Sequence, residues 1–193
     1  VAPPPGSEEK KPAVEEEKPE EKAKAKVTLP EELQEQMGRS EARQRELFQE
    51  AMAAYRAGNY ERAGFKFRQV LSSAGKDQFA VRSYRYLGDI NARGEDYERA
   101  LKLYDFALSI TDTYPEIYYR RGKIQEQLDN TDAALNDFNA AIELEPRAVF
   151  YLARGNYYFT ETNYDSAIAD YSAGLAGEGQ EASLLINRGL AHQ

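Results

Sequence analysis

Residues 84–107, YRYLGDINARGEDYERALKLYDFA, contain a pattern that the chain uses again. The pattern consists of aromatic and small residues at fixed places: Tyr84, Leu87, Gly88, Tyr97, Ala100, Tyr104 and Ala107. The same places recur 34 residues later as Tyr118, Arg121, Gly122, Thr131, Ala134, Phe138 and Ala141, and 33 residues beyond that as Tyr151, Arg154, Gly155, Tyr164, Ala167, Tyr171 and Gly174. A period of this length indicates one supersecondary unit that is stacked several times.

Two further copies flank these three. An earlier copy keeps Tyr60, Ala63 and Phe67 but has Ala51 in the glycine place, with three extra residues in the segment 72–78. A final partial copy ends after Leu185, Arg188 and Gly189. The spacing therefore predicts four units and a half, of which the first is an atypical terminal unit.

Each unit is predicted to contain two helices joined by a tight turn. In the second unit the helices should run from about Phe79 to Arg93 and from about Tyr97 to Ile110. Side chains of Asn, Asp or Thr recur at the turns and can accept the unpaired backbone N–H groups that open the following helix. The mid-helix glycines cost about 1 kcal/mol each relative to Ala. We therefore expect the backbone of the partner helix to lie directly against Gly88, Gly122 and Gly155.

These residues resemble the tetratricopeptide repeat, over about residues 44–193 and best over 115–148. The resemblance implies an all-α fold, a right-handed superhelix (solenoid) with repeats at about 44–77, 81–114, 115–147 and 148–181 and a half repeat at 182–193. The first helix of each repeat would line a concave groove that binds a protein or peptide. The sequence departs from the family at Arg121, Arg154 and Arg188, where the family has Leu.

The N-terminal 30 residues differ in composition from residues 31–193, which form the predicted repeat domain. Residues 1–30 hold six of the eight prolines and no aromatic residue, and Glu and Lys are interspersed along them. Such a segment buries too little apolar area to offset the entropy of ordering it, which predicts a disordered tether. A tether of this kind could join an export or lipid anchor to a folded module, so an exported, periplasmic or cell-envelope location is favoured over the cytoplasm.

Composition excludes several classes of function. The chain has no Cys and a single His, the second-to-last residue, which leaves no thiol nucleophile, no Cys-ligated metal and no interior imidazole. The net charge of −8 argues against a nucleic-acid partner, and no apolar run is long enough to span a membrane. The sequence thus predicts no enzyme activity, no catalytic residues, no cofactor and no metal site.

The resemblance places a set of side chains in the groove as candidate partner-binding residues: Arg82, Arg85, Arg93, Tyr119, Arg120, Lys123, Asn156 and Phe159. The cations among them would suit an acidic extended segment or the C-terminus of a partner protein, because Arg can hold a carboxylate bidentately. Alternatively, these cations solvate an exposed helix face and pair with Asp89, Glu95 or Glu116. Phe48 and Met52 occupy places where chaperone-tail receptors of the family carry Lys and Asn, so this protein does not resemble those receptors.

A non-enzymatic protein-interaction scaffold is the leading functional prediction. The alternative is a structural protein that self-assembles through its terminal helices, as a homo-oligomer formed at the C-terminal edge. There Leu184, Leu185, Ile186 and Leu190 put apolar surface on both faces of the last predicted helix. We expect either that the native protein extends past Gln193 or that this edge meets another molecule.

Overall fold

The computed structural model describes residues 30–73, 75–176 and 182–192. The described secondary structure is entirely helical, and the helices are α1 (Glu31–Arg56), α2 (Tyr60–Ser73), α3 (Gln78–Arg93), α4 (Tyr97–Ile110), α5 (Pro115–Gln127), α6 (Thr131–Leu144), α7 (Ala148–Thr160), α8 (Tyr164–Leu175) and α9 (Ala182–Ala191). The two helices predicted for the second unit are confirmed as α3 and α4. The predicted tether lies outside the described residues except for Pro30.

The helices pack as successive pairs, α1 with α2, α3 with α4, α5 with α6 and α7 with α8, and each pair packs on the next. The odd-numbered helices also touch one another directly, α1 with α3, α3 with α5 and α7 with α9. We call α1, α3, α5, α7 and α9 the groove helices, and α2, α4, α6 and α8 the back helices. The predicted all-α solenoid is confirmed.

One turn geometry joins the two helices of every pair. Its central residue has a positive φ, +75° at Gly58 and close to +59° at Glu95, Asp129 and Thr162. The next residue donates its backbone N–H to a carbonyl five residues earlier, as in Asn59 to Ala54 at 2.9 Å and Asn163 to Tyr158 at 2.8 Å. This is the Schellman arrangement, which satisfies carbonyls at the end of the first helix and reverses the backbone direction.

The predicted caps are found at three of these turns. The side chains of Asn59, Asp96 and Asn163 accept the backbone N–H three residues later, at 3.0, 3.2 and 3.3 Å. The prediction is wrong at the remaining turn, where the Asn130 side chain makes no cap and donates its amide to Gln125 Oε1 at 2.8 Å. Gln125 lies one turn back on α5, so the amide joins the end of one helix to the start of the next.

The mid-helix glycines accommodate aromatic rings rather than the partner backbone that the sequence suggested. A Cβ added at Gly88, Gly122 or Gly155 would lie 2.5 to 2.8 Å from a ring carbon of Tyr104, Phe138 or Tyr171, respectively. We call Phe67, Tyr104, Phe138 and Tyr171 the core rings; each is at most 1 % exposed. Each lies sixteen residues after the small residue that it covers, so one ring holds each groove helix against its back helix.

Two of the three arginines that depart from the family pattern form partly buried ion pairs between the helices of a unit. Arg121 donates to both carboxylate oxygens of Asp137, at 2.9 and 2.6 Å, and to Asp105 of the preceding unit at 2.7 Å. Arg154 does the same with Asp170, at 2.8 and 2.6 Å, and reaches Asn139 of the preceding unit at 2.6 Å. Each arginine therefore ties its own back helix to the one before it.

The equivalent places in the first two units are filled differently. Glu50 and Lys66 form a pair of opposite polarity at 2.5 Å, and Leu87 packs in a cluster with Leu103. In every unit the two places are sixteen residues apart. The same two repeat positions, one on the groove helix and one on the back helix, thus hold a reversed ion pair, an apolar pair or a bidentate Arg–Asp pair, depending on the unit.

We expect Arg121→Leu to destabilise the protein by about 3 kcal/mol, because it leaves the Asp137 carboxylate buried without its partner. The double variant Arg121→Leu/Asp137→Leu should recover most of that loss, since Leu87 and Leu103 show that the place accepts an apolar pair. The free energy of unfolding from urea titrations measures both effects.

The loss in the single variant should also depend on pH. Burial raises the pKa of Asp137, and the hydrogen bonds and charge of Arg121 oppose that rise. Without Arg121 the folded-state pKa rises further above its unfolded value, so the folded protein binds the proton more tightly and regains stability as pH falls through that pKa. A loss of equal size at neutral and mildly acidic pH, or a double variant no better than the single one, would contradict this account.

Candidate functional site: the groove between the odd-numbered helices

The groove helices line several cavities in the described part of the chain, three of which contain predicted site residues together with residues of neighbouring helices. The first, of about 420 Å³, lies between α1 and α3. A central cavity of about 260 Å³ is formed by α1, α3 and α5 with the core ring of α4. A third, of about 240 Å³, lies between α7 and α9 and reaches the core ring of α8.

A buried carboxylate organises the central cavity. The side chain of Asp89 is 4 % exposed, and its Oδ1 accepts the hydroxyl of Tyr104 at 2.8 Å. Arg120 approaches the same oxygen at 3.4 Å, and Arg85 Nε lies 3.6 Å from Oδ2. One carboxylate thus faces two guanidinium groups, whose buried Nε atoms have no hydrogen-bond partner among the described residues.

The position of Asp89 is explained by the core ring Tyr104, whose buried hydroxyl group requires a hydrogen-bond acceptor there. The hydroxyl of Tyr104 points into the groove, and burial together with Asp89 raises its pKa, so it remains a hydrogen-bond donor. In the fourth unit the hydroxyl of Tyr171 donates to Asn156 Oδ1 at 2.9 Å in the same way. In the other two units the core ring is Phe67 or Phe138, which needs no acceptor, and the corresponding groove residues are Met52 and Lys123.

The predicted site residues divide among the cavities. Arg93, Tyr119, Arg120 and Lys123 line the central cavity, Arg82 lines the first cavity, and Asn156 and Phe159 line the third. Arg85 lies beside a smaller recess of about 200 Å³ between α3 and α5 that Arg82 and Glu116 share. The structure therefore brings four of the predicted residues together and separates the others.

Several of these residues are already engaged within the protein. Arg85 stacks on Tyr86 with its guanidinium carbon 4.2 Å from the ring centre, and Arg93 lies 5.0 Å from the ring centre of Tyr60. Lys123 is paired with Glu126. Two of the acidic residues that were predicted to pair with these cations can be compared. Asp89 does pair with Arg85, whereas Glu116 pairs with Arg147 of the next unit.

The remaining predicted residues have packing contacts. The ring of Tyr119 lies 5.2 Å from Phe150 and 6.4 Å from Phe138, so it joins the third and fourth units. The Asn156 oxygen accepts from Asn187 of α9 at 2.8 Å as well as from Tyr171. Phe159 meets Tyr164 edge to face at 5.4 Å.

Two arginines of the first cavity were not among the predicted site residues. Arg45 and Arg56 line it together with Arg82. They lie eleven residues apart on α1, which is three helical turns and therefore the same face. That spacing, read with the periodicity of the first unit, is the sequence signal that could have identified them.

Comparison with known proteins matches the same repeats. A family model described as "TPR repeat" matches residues 88–129, and one described as "Tetratricopeptide repeat" matches residues 115–148. The human protein named "Tetratricopeptide repeat protein 13" is 32 % identical over 76 residues, which are 39 % of this chain and 9 % of that protein. Residues 88–148 thus match tetratricopeptide repeat models.

Solved structures of tetratricopeptide proteins share this fold. A tetratricopeptide repeat protein from Parabacteroides merdae superposes with a TM-score of 0.68 at 21 % identity, over 77 % of this chain and 59 % of that one. The first tetratricopeptide domain of Spaghetti (RPAP3), bound to the HSP90 peptide SRMEEVD, has a TM-score of 0.57 at 19 % identity, over 61 % of this chain and 94 % of that one. This chain thus spans a small part of its human relative and about three fifths of the bacterial structure.

The described part of the chain contains neither a candidate membrane span nor a candidate metal site. None of its helices combines the length and apolar character needed to cross a bilayer. No group of three or more His, Asp or Glu side chains in it is arranged to hold a metal ion.

We expect Phe138→Tyr to destabilise the third unit by about 1–3 kcal/mol, because the new hydroxyl would reach the groove beside Lys123, which has no acceptor to offer. Adding Lys123→Asn should restore most of the loss by recreating the Tyr171–Asn156 arrangement. Thermal unfolding of the two single variants and the double variant measures the coupling. If Phe138→Tyr is as stable as the parent protein, the link between hydroxyl and acceptor is not obligatory.

Proposed function

We propose that this protein is a non-enzymatic interaction scaffold that binds an extended segment of a partner protein along the groove helices. The observation that carries the proposal is the charge of the first and central cavities. Six cations line them, Arg45, Arg56, Arg82, Arg93, Arg120 and Lys123, against the single carboxylate of Asp89, in a protein of net charge −8. The proposed partner segment is therefore acidic.

The fold supports this use of the groove. The neighbouring Spaghetti domain was solved with a bound peptide, and that peptide, SRMEEVD, contains acidic residues. A rigid stack of helices presents its groove without an ordering cost at each binding event, which favours affinity for a flexible segment. In this proposal residues 31–193 are the binding domain and residues 1–30 serve as its tether.

Reversing Arg93 and Lys123 to Glu should weaken binding of an acidic ligand at least tenfold without unfolding the protein. Exposed charges contribute only about 0–1 kcal/mol to folding. Arg93 is exposed, Lys123 is partly exposed beside Glu126, and both line the central cavity. Arg85 is unsuitable for reversal, because a carboxylate there would face buried Asp89. Ligands would be selected from a random peptide library, and their affinity measured by fluorescence polarisation.

The matched control is Arg62→Glu/Lys102→Glu, which makes the same charge change at exposed positions of two back helices. Affinity should fall with added salt, because charged contacts are screened over about 8–10 Å. Hydrogen exchange should show protection along α1, α3 and α5. Protection confined to the back helices, or equal losses in both double variants, would overturn the proposal.

A second candidate function, self-assembly through the C-terminal edge, is supported by the exposure of α9. Leu184 is fully buried against the fourth unit, as expected for one face of this helix, whereas Leu185, Ile186 and Leu190 are 44, 61 and 50 % exposed. The glycine place at Gly189 is also open, because an added Cβ would meet nothing within 4 Å. In this candidate function the apolar face of α9 joins one copy to another.

Leu190→Lys should weaken self-association about tenfold or more while leaving the fold intact, because it places a charge at the centre of that face. The control is Leu128→Lys, a similarly exposed leucine at the turn between α5 and α6. Light scattering over a hundredfold range of concentration measures the effect. A parent protein that stays monomeric over that range excludes this candidate.

A further inference from the structure

The arginines of the first cavity differ from those of the central cavity in having no partner. Arg45 and Arg56 make no ion pair, hydrogen bond or ring contact with the described residues, and Arg82 has only the face of Phe48, 4.5 Å away. No acidic residue lines this cavity within the described residues. In the central cavity, by contrast, Asp89 faces Arg85 and Arg120, and Glu126 pairs with Lys123.

The floor of the first cavity is apolar. Met52 and Phe79 are half-buried there, and the ring of buried Phe48 lies 5.5 Å from that of Phe79. A guanidinium group beside such a floor can hold a carboxylate bidentately while an adjoining apolar group of the ligand packs on the rings. The cavity thus combines uncompensated positive charge with a hydrophobic surface, which suits a ligand that carries both acidic and apolar groups.

We infer that this cavity is a binding subsite for an internal acidic segment of a partner protein, with two acidic positions about five residues apart and an apolar residue between them. The spacing follows from α1. Arg45 and Arg56 are separated by eleven residues of helix, about 16 Å at 1.5 Å per residue. An extended peptide advances about 3.3 Å per residue, so about five residues span that distance.

The subsite does not depend on a free terminus of the partner. The arginines flank the apolar residues of the cavity along α1, with Arg45 one turn before Phe48 and Arg56 one turn after Met52, and Arg82 lies over the Phe48 ring. A segment can therefore be held by side-chain carboxylates alone and continue past the cavity in both directions. This assignment rests on the proposed function and specifies which sequence the groove prefers.

The test uses a fluorescent peptide of sequence DDGLFGEE with both ends blocked, so that no terminal carboxylate contributes. Its affinity for the protein should exceed that of the blocked peptides DDGSSGEE, which lacks the apolar pair, and GLDDEEFG, which has the same composition but no two acidic positions more than three residues apart, by threefold or more. KKGLFGKK, with the charges reversed, should show no measurable binding. Equal affinity for DDGLFGEE, DDGSSGEE and GLDDEEFG would overturn the inference.

Protein variants locate the binding. Arg56→Glu and Arg82→Glu should each weaken DDGLFGEE at least tenfold, whereas Arg62→Glu, the same charge change at an exposed position of α2, should have less than a twofold effect. Circular dichroism checks that every variant is folded. Unchanged binding by folded Arg56→Glu and Arg82→Glu, or no binding of DDGLFGEE to the parent protein, would overturn the inference.

The same variants distinguish a failure of this inference from a failure of the proposed function. If library-selected peptides lose affinity in Arg93→Glu/Lys123→Glu but keep it in Arg56→Glu and Arg82→Glu, the groove is the binding site and the first cavity is not its acidic subsite. If selected peptides bind the back helices, the proposed function itself fails.

Discussion

The packing of a core ring on a small residue of the facing helix is the constraint on which the rest of this structure depends. Tyr104 lies so close to Gly88 that no Cβ fits between them, and the same holds for Tyr171 on Gly155. The distance between groove helix and back helix is thus fixed by the thickness of a ring. Where the ring is a tyrosine, that packing also carries its hydroxyl through to the groove, where a buried donor needs an acceptor. Asp89 and Asn156 meet that need.

The charge of the groove follows from this requirement. Because Asp89 is buried to accept from Tyr104, its negative charge attracts Arg85 and Arg120, which are partly neutralised before any ligand arrives. In the first unit the core ring is Phe67 and the facing residue is Met52, so no buried carboxylate is present at that place. The arginines of the first cavity, Arg82 among them, therefore have no such carboxylate beside them and remain available to another molecule. A hydroxyl group inside the solenoid therefore influences which part of its surface is electropositive.

Much of the fold could be predicted from the sequence, because the repeat spacing indicates the paired helices and the resemblance to the tetratricopeptide repeat implies how they stack. The repeat interval places the helices to within a residue, as Gln78–Arg93 shows against the predicted Phe79–Arg93. The site was harder to predict because burial depends on residues from several helices. Asp89 becomes a buried carboxylate only through Tyr104 of α4 and Arg120 of α5, and nothing local marks it. Likewise Arg121 and Arg154 were recognised as departures from the family, but their aspartate partners sixteen residues later were not.

Those departures bear on how an array of similar units folds correctly. Repeated helices of nearly the same shape can pair with the wrong neighbour, a known failure of repeat proteins. Here the paired positions carry a Glu–Lys pair in the first unit, an apolar pair in the second and an Arg–Asp pair in the third and fourth. If α1 paired with α6, Glu50 would meet Asp137, and if α5 paired with α2, Arg121 would meet Lys66. Like charges brought together at partly buried positions make both mistakes unfavourable, so the reversed ion pair of the first unit favours correct pairing of helices whose shapes alone would allow them to be exchanged.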